Sequence, residues 1–280
     1  MTDIHVFNHH AMATQFQVRI AGGDKTYAAQ TAQAAFALAD DLESHLSRFR
    51  AGSDISQIAQ LAPGETLRVS ESVFACLELA RRMELATHGA FSVTAAALQS
   101  QSAPPQWTLQ NFSVRCGSGR LEFDLGAIGK GFALDRMADV MREWSCRAFL
   151  LVAGGSSILA GEAPADTAGW SCGLGEDNSP CRYWLKNASL SGSGLAVKGK
   201  HILDPRTGQP ARRQNRAWAL CDSAAESDVL STACMVLDEA EIAEILAAEK
   251  SWLVFLEEDG HARSLGNRTL PLSDGLKHHD

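Results

Sequence analysis

Apolar residues recur every three to four positions across residues 27–49, at Ala32, Ala35, Phe36, Ala39, Leu42, Leu46 and Phe49. That spacing is the stripe of a helix with one face in a core. A second stripe begins after Ser70, a residue suited to cap a first turn, and runs through Val73, Phe74, Leu77, Ala80 and Met83 to a stop at Gly89. Strict alternation in Phe16-Gln-Val-Arg-Ile20 predicts a strand. Residues 121–125 read as another strand, followed by a glycine-rich turn and a helix through Phe132, Met137, Val140, Met141 and Trp144. Residues 148–152 predict a buried strand running into the pair Gly154-Gly155. Residues 228–237 read as a helix, and Asp238 with Glu241 has capping-box spacing for a further one through Ile242, Ile245 and Leu246. Residues 252–256 and those beyond, with Asp259-Gly260 between, predict a closing hairpin. The clearest loop is residues 99–106, and residues 161–181, rich in Gly, Asp, Pro and Ser, read as irregular.

Strands and helices follow one another without regular alternation, and no segment repeats. This order predicts an α+β fold over a doubly wound sheet. The 280 residues suffice for a substantial core without disulfides. Composition is that of an ordinary globular chain, 45% hydrophobic and 21% charged. A net charge of −8 excludes a general basic field for nucleic acid, while leaving room for a local anion site. No apolar run is long enough for a transmembrane helix. The N-terminal stretch carries neither a signal-peptide core nor a cysteine for lipid attachment, so a cytoplasmic location is expected. The seven cysteines are scattered, odd in number and without CxxC pairs, as expected of reduced, buried thiols.

Candidate chemistry concentrates in three segments. His201-Ile-Leu-Asp-Pro-Arg-Thr-Gly208 sets an imidazole, a carboxylate and a guanidinium beside a rigid proline turn. His201 has the intrinsic pKa of a general base, and Arg206 is a candidate anion binder. Asp204 has an equally ordinary use as a turn former. Ser227-Asp-Val-Leu-Ser-Thr232 puts Asp228 and Thr232 one helical turn apart, on one face. Together they offer oxygen ligands to a hard cation, or else a helix carboxylate and a hydroxyl bonded back to its own helix. Asp124-Leu-Gly-Ala-Ile-Gly-Lys-Gly131 joins the predicted strand to the predicted helix. Its glycines allow backbone amides to approach an anion at a helix N-terminus, and Lys130 adds a point charge. It is neither a Walker A loop nor GxGxxG. A tight turn with a solvated lysine is the competing reading. Joint occurrence favours work on a phosphate or pyrophosphate.

These segments resemble the FAD:protein FMN transferase (ApbE) family, and the resemblance covers most of the chain. Besides the three above, it rests on His10-Ala-Met-Ala-Thr-Gln-Phe16, on Leu46-Ser-Arg-Phe-Arg50 with Ser53-Asp-Ile-Ser56, and on Thr87-His-Gly-Ala-Phe-Ser-Val-Thr94. It implies one compact domain over residues 1–280, a mixed, largely antiparallel sheet with packed helices. It implies transfer of FMN from FAD to a Thr or Ser hydroxyl of a target protein, with release of AMP. It further implies Mg²⁺ held by Asp228, Thr232 and a loop carbonyl assigned to Ala127. FAD contacts are implied at Met12, Phe49, Ala90, Phe91, Ser92, Lys130 and His201. As the candidate catalytic residue, His201 would activate the acceptor hydroxyl or aid departure of AMP. Partners would be FAD and the acceptor protein, with no nucleic acid and no membrane span.

Three departures bear on the activity. Ser92 stands where the family pattern has aspartate, Ser156 where Gly-Gly-Asp is usual, and Ser191-Gly-Ser-Gly194 lacks a bulky residue after Ser-Gly. They leave open two alternatives: hydrolysis of FAD to FMN and AMP, or flavin binding without transfer.

Overall fold

The computed structural model describes residues 2–101, 103–174, 182–194, 202–211, 214–258 and 261–273. The chain opens with an antiparallel hairpin, β1 (Ile4–Ala11) and β2 (Thr14–Ala21), followed by α1 (Lys25–Leu46) and the short α2 (Asp54–Ile58). Then come β3 (Thr66–Arg68), α3 (Glu71–Ala86), β4 (Gln106–Gln110) and β5 (Ser113–Ser118). α4 (Gly129–Glu143) leads into the hairpin β6 (Phe149–Ala153) and β7 (Ser157–Ala160). β8 (Trp170–Gly173), β9 (Arg182–Leu185), β10 (Ala188–Gly194) and β11 (Arg216–Cys221) precede α5 (Ala224–Ala233) and α6 (Glu239–Ala248). β12 (Leu253–Glu258) and β13 (His261–Leu265) form the last hairpin.

Eight strands make the main sheet, in the order β1-β2-β6-β7-β10-β11-β12-β13. Every pairing between named strands is antiparallel, within the α+β class expected. β3-β5-β4 form a separate small sheet and β8-β9 a two-stranded one. The central strands of the main sheet, β6, β7, β10, β11 and β12, are buried on both faces. Phe16, Val18, Leu151, Ala219 and Val254 join α1, α4 and α5 in the larger core. Alternate residues Leu150, Trp218, Leu220, Leu253 and Phe255 pack on the other face with Trp170, Cys172 and Leu185. This is the period-two alternation of strand side chains. No helix among the described residues is long and apolar enough to cross a membrane. The six described cysteines are all free.

Local signals account for the helix boundaries. The Asp24 carboxylate accepts from Tyr27 N at 2.9 Å to start α1, and Ser70 does the same for α3 through Val73 N. The expected capping box of α6 forms in both directions between Asp238 and Glu241. Several sequence expectations require correction. α1 ends at Leu46, so Phe49 lies beyond the stripe it was assigned to, 84% exposed. Residues 121–125 are largely buried but join no sheet; Asp124 N instead donates to Val93 O at 2.8 Å. The helix read over 228–237 runs one turn earlier, because Ser223 is its cap. The region read as irregular holds β8.

Candidate functional site

Two helix starts meet at one point and cap each other. α4 begins at Gly129 with no side-chain cap of its own. Gly129 N donates to Leu125 O at 2.7 Å, and Gly131 N is met by Asp228 of α5, whose Oδ2 accepts from it at 3.2 Å. In the other direction, Asp135 of α4 reaches the start of α5. It accepts from Ser223 Oγ at 2.7 Å, Ala224 N at 2.7 Å and Ala225 N at 3.0 Å. Each carboxylate thus sits at the positive end of the other helix. Burial pushes the Asp135 carboxyl above its usual range, against the pull of its bonds to Ser223, Ala225 and Ala224 and of nearby Arg136.

Gly131 makes this junction possible. A Cβ there would overlap the Ala224 carbonyl and approach Ala225 Cα to 2.7 Å, both backbone positions. The glycine is required by proximity between two helices.

Asp228 is nearly fully buried, its side chain 3% exposed. Lys130 Nζ lies across its carboxylate, at 3.2 Å from Oδ1 and 3.0 Å from Oδ2. Ser157 Oγ, at the start of β7, donates to Oδ1 at 3.1 Å. One turn along α5, Thr232 Oγ1 donates to the Asp228 carbonyl at 3.1 Å and lies 3.0 Å from Ser193 Oγ. A ladder of hydroxyls continues between β10 and α5, with Ser189 and Ser191 each 2.8 Å from Ser227 and Ser193 3.0 Å from Ser231. Buried polar groups are paired throughout this strip, as burial demands. Among the described residues no three His, Cys, Asp or Glu side chains gather as a metal cluster.

The same end of the sheet carries two tight turns. Met12 and Ala13, between β1 and β2, both hold positive φ, 50° and 55°. Neither is a residue that favours that conformation, so the turn stores strain. Gly154 and Gly155 turn β6 into β7 beside it, with Gly154 N donating to Gln15 O at 2.9 Å. Ser156 accepts from Gly192 N through its backbone carbonyl at 2.7 Å, tying this turn to β10.

A cavity of about 260 Å³ opens among Arg48, Phe49, Ile55, Ser56, Glu122 and Phe123. Arg48 lies 4.7 Å from the centre of the Phe49 ring and pairs with Asp124 Oδ2 at 3.1 Å. Asp124 in turn accepts from Gly126 N at 2.9 Å, so the cavity wall is joined to the glycine loop. Ala127 lies in that loop, three residues before Lys130, and packs against the core.

Residues 90–92 follow α3. Ala90 and Phe91 are each 3% exposed and belong to the core. Ser92 Oγ lies 3.0 Å from Thr94 Oγ1. Burial pushes the carboxyl of Glu84 above its usual range, with Ser92 and Arg81 pulling the other way. His201 lies outside the described residues. The reading of Arg206 as an anion binder is corrected: its guanidinium forms a two-point pair with Asp204, 2.9 Å at each contact, and also engages Glu241. Asp204 and Glu241 already occupy its fork, and Arg206 braces the turn against α6.

Asp228, Thr232, Lys130 and the glycine loop are thus brought together, with Ser157, Ser193 and Asp135 added by the structure. Asp135→Ala removes the acceptor for three donors at the α5 start. It is expected to cost on the order of 2–4 kcal/mol of stability. Urea unfolding at unchanged m-value checks this; a loss under about 0.5 kcal/mol contradicts the clasp.

Comparison with known proteins identifies the family and the fold. The ApbE family model matches residues 12–255. An FAD:protein FMN transferase of Klebsiella pneumoniae is 24% identical over 249 residues, 75% of each chain, and one of Vibrio cholerae is 22% identical over 240 residues, 72% of each. The fold superposes on the flavin transferase ApbE of Vibrio cholerae with a TM-score of 0.81 at 19% identity, covering 95% of this chain and 97% of that one. The ApbE protein of Thermotoga maritima gives 0.79 at 20% identity, covering 94% and 97%. A family match over most of its length, on the segments that build the α4–α5 junction, makes this chain a member of the ApbE family.

Proposed function

We propose that this protein transfers FMN from FAD to a Thr or Ser hydroxyl of an acceptor protein, releasing AMP, in a Mg²⁺-dependent reaction. The observation that carries the reading is the convergence of Asp228, Thr232, Lys130 and the glycine loop at the α4–α5 junction.

The donor set fits a hard cation. Gly131 N and Ser157 Oγ each take one lone pair of the Asp228 carboxylate, and an ammonium spans the remaining side of both oxygens. That side already accommodates a positive charge. Mg²⁺ takes few protein oxygens and completes its shell with water and phosphate. Asp228, Thr232 and the Ala127 carbonyl are the proposed ligands. When bound, the cation would neutralise charge on the pyrophosphate oxygens.

The other roles belong to side chains. Lys130 contributes a second positive charge to the phosphates. The exposed Phe49 ring offers a face to a flat ring system. Met12, Ala90, Phe91 and Ser92 are the further FAD contacts we propose. The acceptor hydroxyl oxygen forms a bond to the FMN phosphorus as the bond to the AMP oxygen breaks. We assign His201 the proton of that hydroxyl. His201→Ala is then expected to slow transfer about 100-fold or more. A variant within a few-fold of the parent removes histidine from the chemistry.

Incubation with FAD, Mg²⁺ and an acceptor protein tests the whole reading. Covalent flavin on the acceptor supports it. Free FMN with AMP indicates hydrolysis, and unchanged FAD indicates binding alone.

A further inference from the structure

We infer that Lys130 is a movable counter-ion that competes with the divalent cation for Asp228 and yields the carboxylate only when the cation arrives. The inference rests on the proposed cation site at Asp228 and adds a step that a plain ligand set does not contain.

The carboxylate is buried, and a buried charge requires compensation. Of its partners, only Lys130 carries a full positive charge. The other two are fixed in place. Gly131 N belongs to a helix start pressed against the Ala224 backbone, and Ser157 is fully buried in a strand of the main sheet. Lys130 alone combines charge with freedom. Its side chain is 24% exposed and ends a flexible four-carbon stem. It can therefore leave without any movement of the backbone.

Two cations cannot share the same side of one carboxylate. While Lys130 spans both oxygens, no outward lone pair is open to a divalent ion, and like charges repel. If Lys130 left first, a buried anion would remain with two neutral donors. The exchange is therefore one cation for another. The displaced ammonium stays near the junction because its backbone position is fixed in α4, and it needs a new anion. The phosphates of a bound dinucleotide supply one. Cation and dinucleotide are thus expected to favour each other's binding, reciprocally.

This reverses the usual expectation for a site lysine. Removing Lys130 should improve cation binding to the free protein. We predict that Lys130→Met and the length-matched Lys130→Gln bind Mn²⁺ about 10-fold more tightly than the parent without nucleotide, measured by electron paramagnetic resonance of free Mn²⁺. Both variants should melt lower than the parent in metal-free buffer and gain more in melting temperature on adding Mn²⁺, because the ion restores the missing charge. Lys130→Gln keeps a donor to Asp228 and guards against a simple folding defect in Lys130→Met. Equal or weaker Mn²⁺ binding by both variants overturns the inference while leaving the cation site intact. Mn²⁺ bound by neither parent nor variants, with or without FAD, overturns the cation site itself.

Discussion

Asp228→Asn is expected to keep the fold and to slow FMN transfer at saturating Mg²⁺ by about 1,000-fold. The side chain keeps its shape, and one oxygen remains to accept from Ser157 or Gly131. Lys130 loses its partner, but it is close enough to solvent for its ammonium to be hydrated. What disappears is the only carboxylate in the proposed cation site. Charge neutralisation by a bound cation contributes several kcal/mol to a transition state, and about 4 kcal/mol corresponds to a factor of roughly 1,000. The initial rate of covalent flavin incorporation, with a melting curve on the same sample, is the measurement. A parental rate would place the cation elsewhere or remove it from the reaction.

Gly131→Ala is expected to be nearly as severe by a different route. The added methyl meets the backbone of Ala224 and Ala225, which has no rotamer to change. Relief requires α4 and α5 to move apart. Overpacking of this kind costs roughly 3 kcal/mol when neither side can yield. Separation also lengthens the bond from Gly131 N to Asp228 and loosens the clasp at Asp135. A displacement of about 1 Å in a positioned group is enough to lower a rate about 100-fold. The variant should therefore melt well below the parent and remain about 100-fold slower at temperatures where it is folded. Parental melting and parental rate together would show that the junction has slack.

The elements legible in the sequence are those whose buried face is apolar. α1 buries the predicted stripe from Ala32 to Leu46, and α3 and α6 begin at the caps their sequences mark. β10 was missed for a physical reason. Its alternate positions Ser189, Ser191 and Ser193 turn toward hydroxyls of α5, so that face is polar, and Gly192 and Gly194 cut short the apolar alternation begun by Ala188 and Leu190. β1 was missed as an edge strand with Ile4 and Val6 about half exposed. In the candidate site, the i, i+4 spacing of Asp228 and Thr232 and the loop containing Lys130 were visible as patterns. Their partners were not. Ser157 and Asp135 reach Asp228 and α5 across 71 and 88 or more positions of sequence, and no local spacing encodes such contacts. Arg206 shows the reverse: a residue type suited to phosphate, taken up by Asp204 and Glu241 once the chain folds.

The most direct test of a cation-dependent transfer at the α4–α5 junction is the ratio of AMP released to FMN covalently bound, measured with and without Mg²⁺. One AMP per FMN on the acceptor hydroxyl is expected, formed only with the divalent ion and lost in Asp228→Asn. The same products in excess chelator, or AMP with free FMN and an unmodified acceptor, would contradict it.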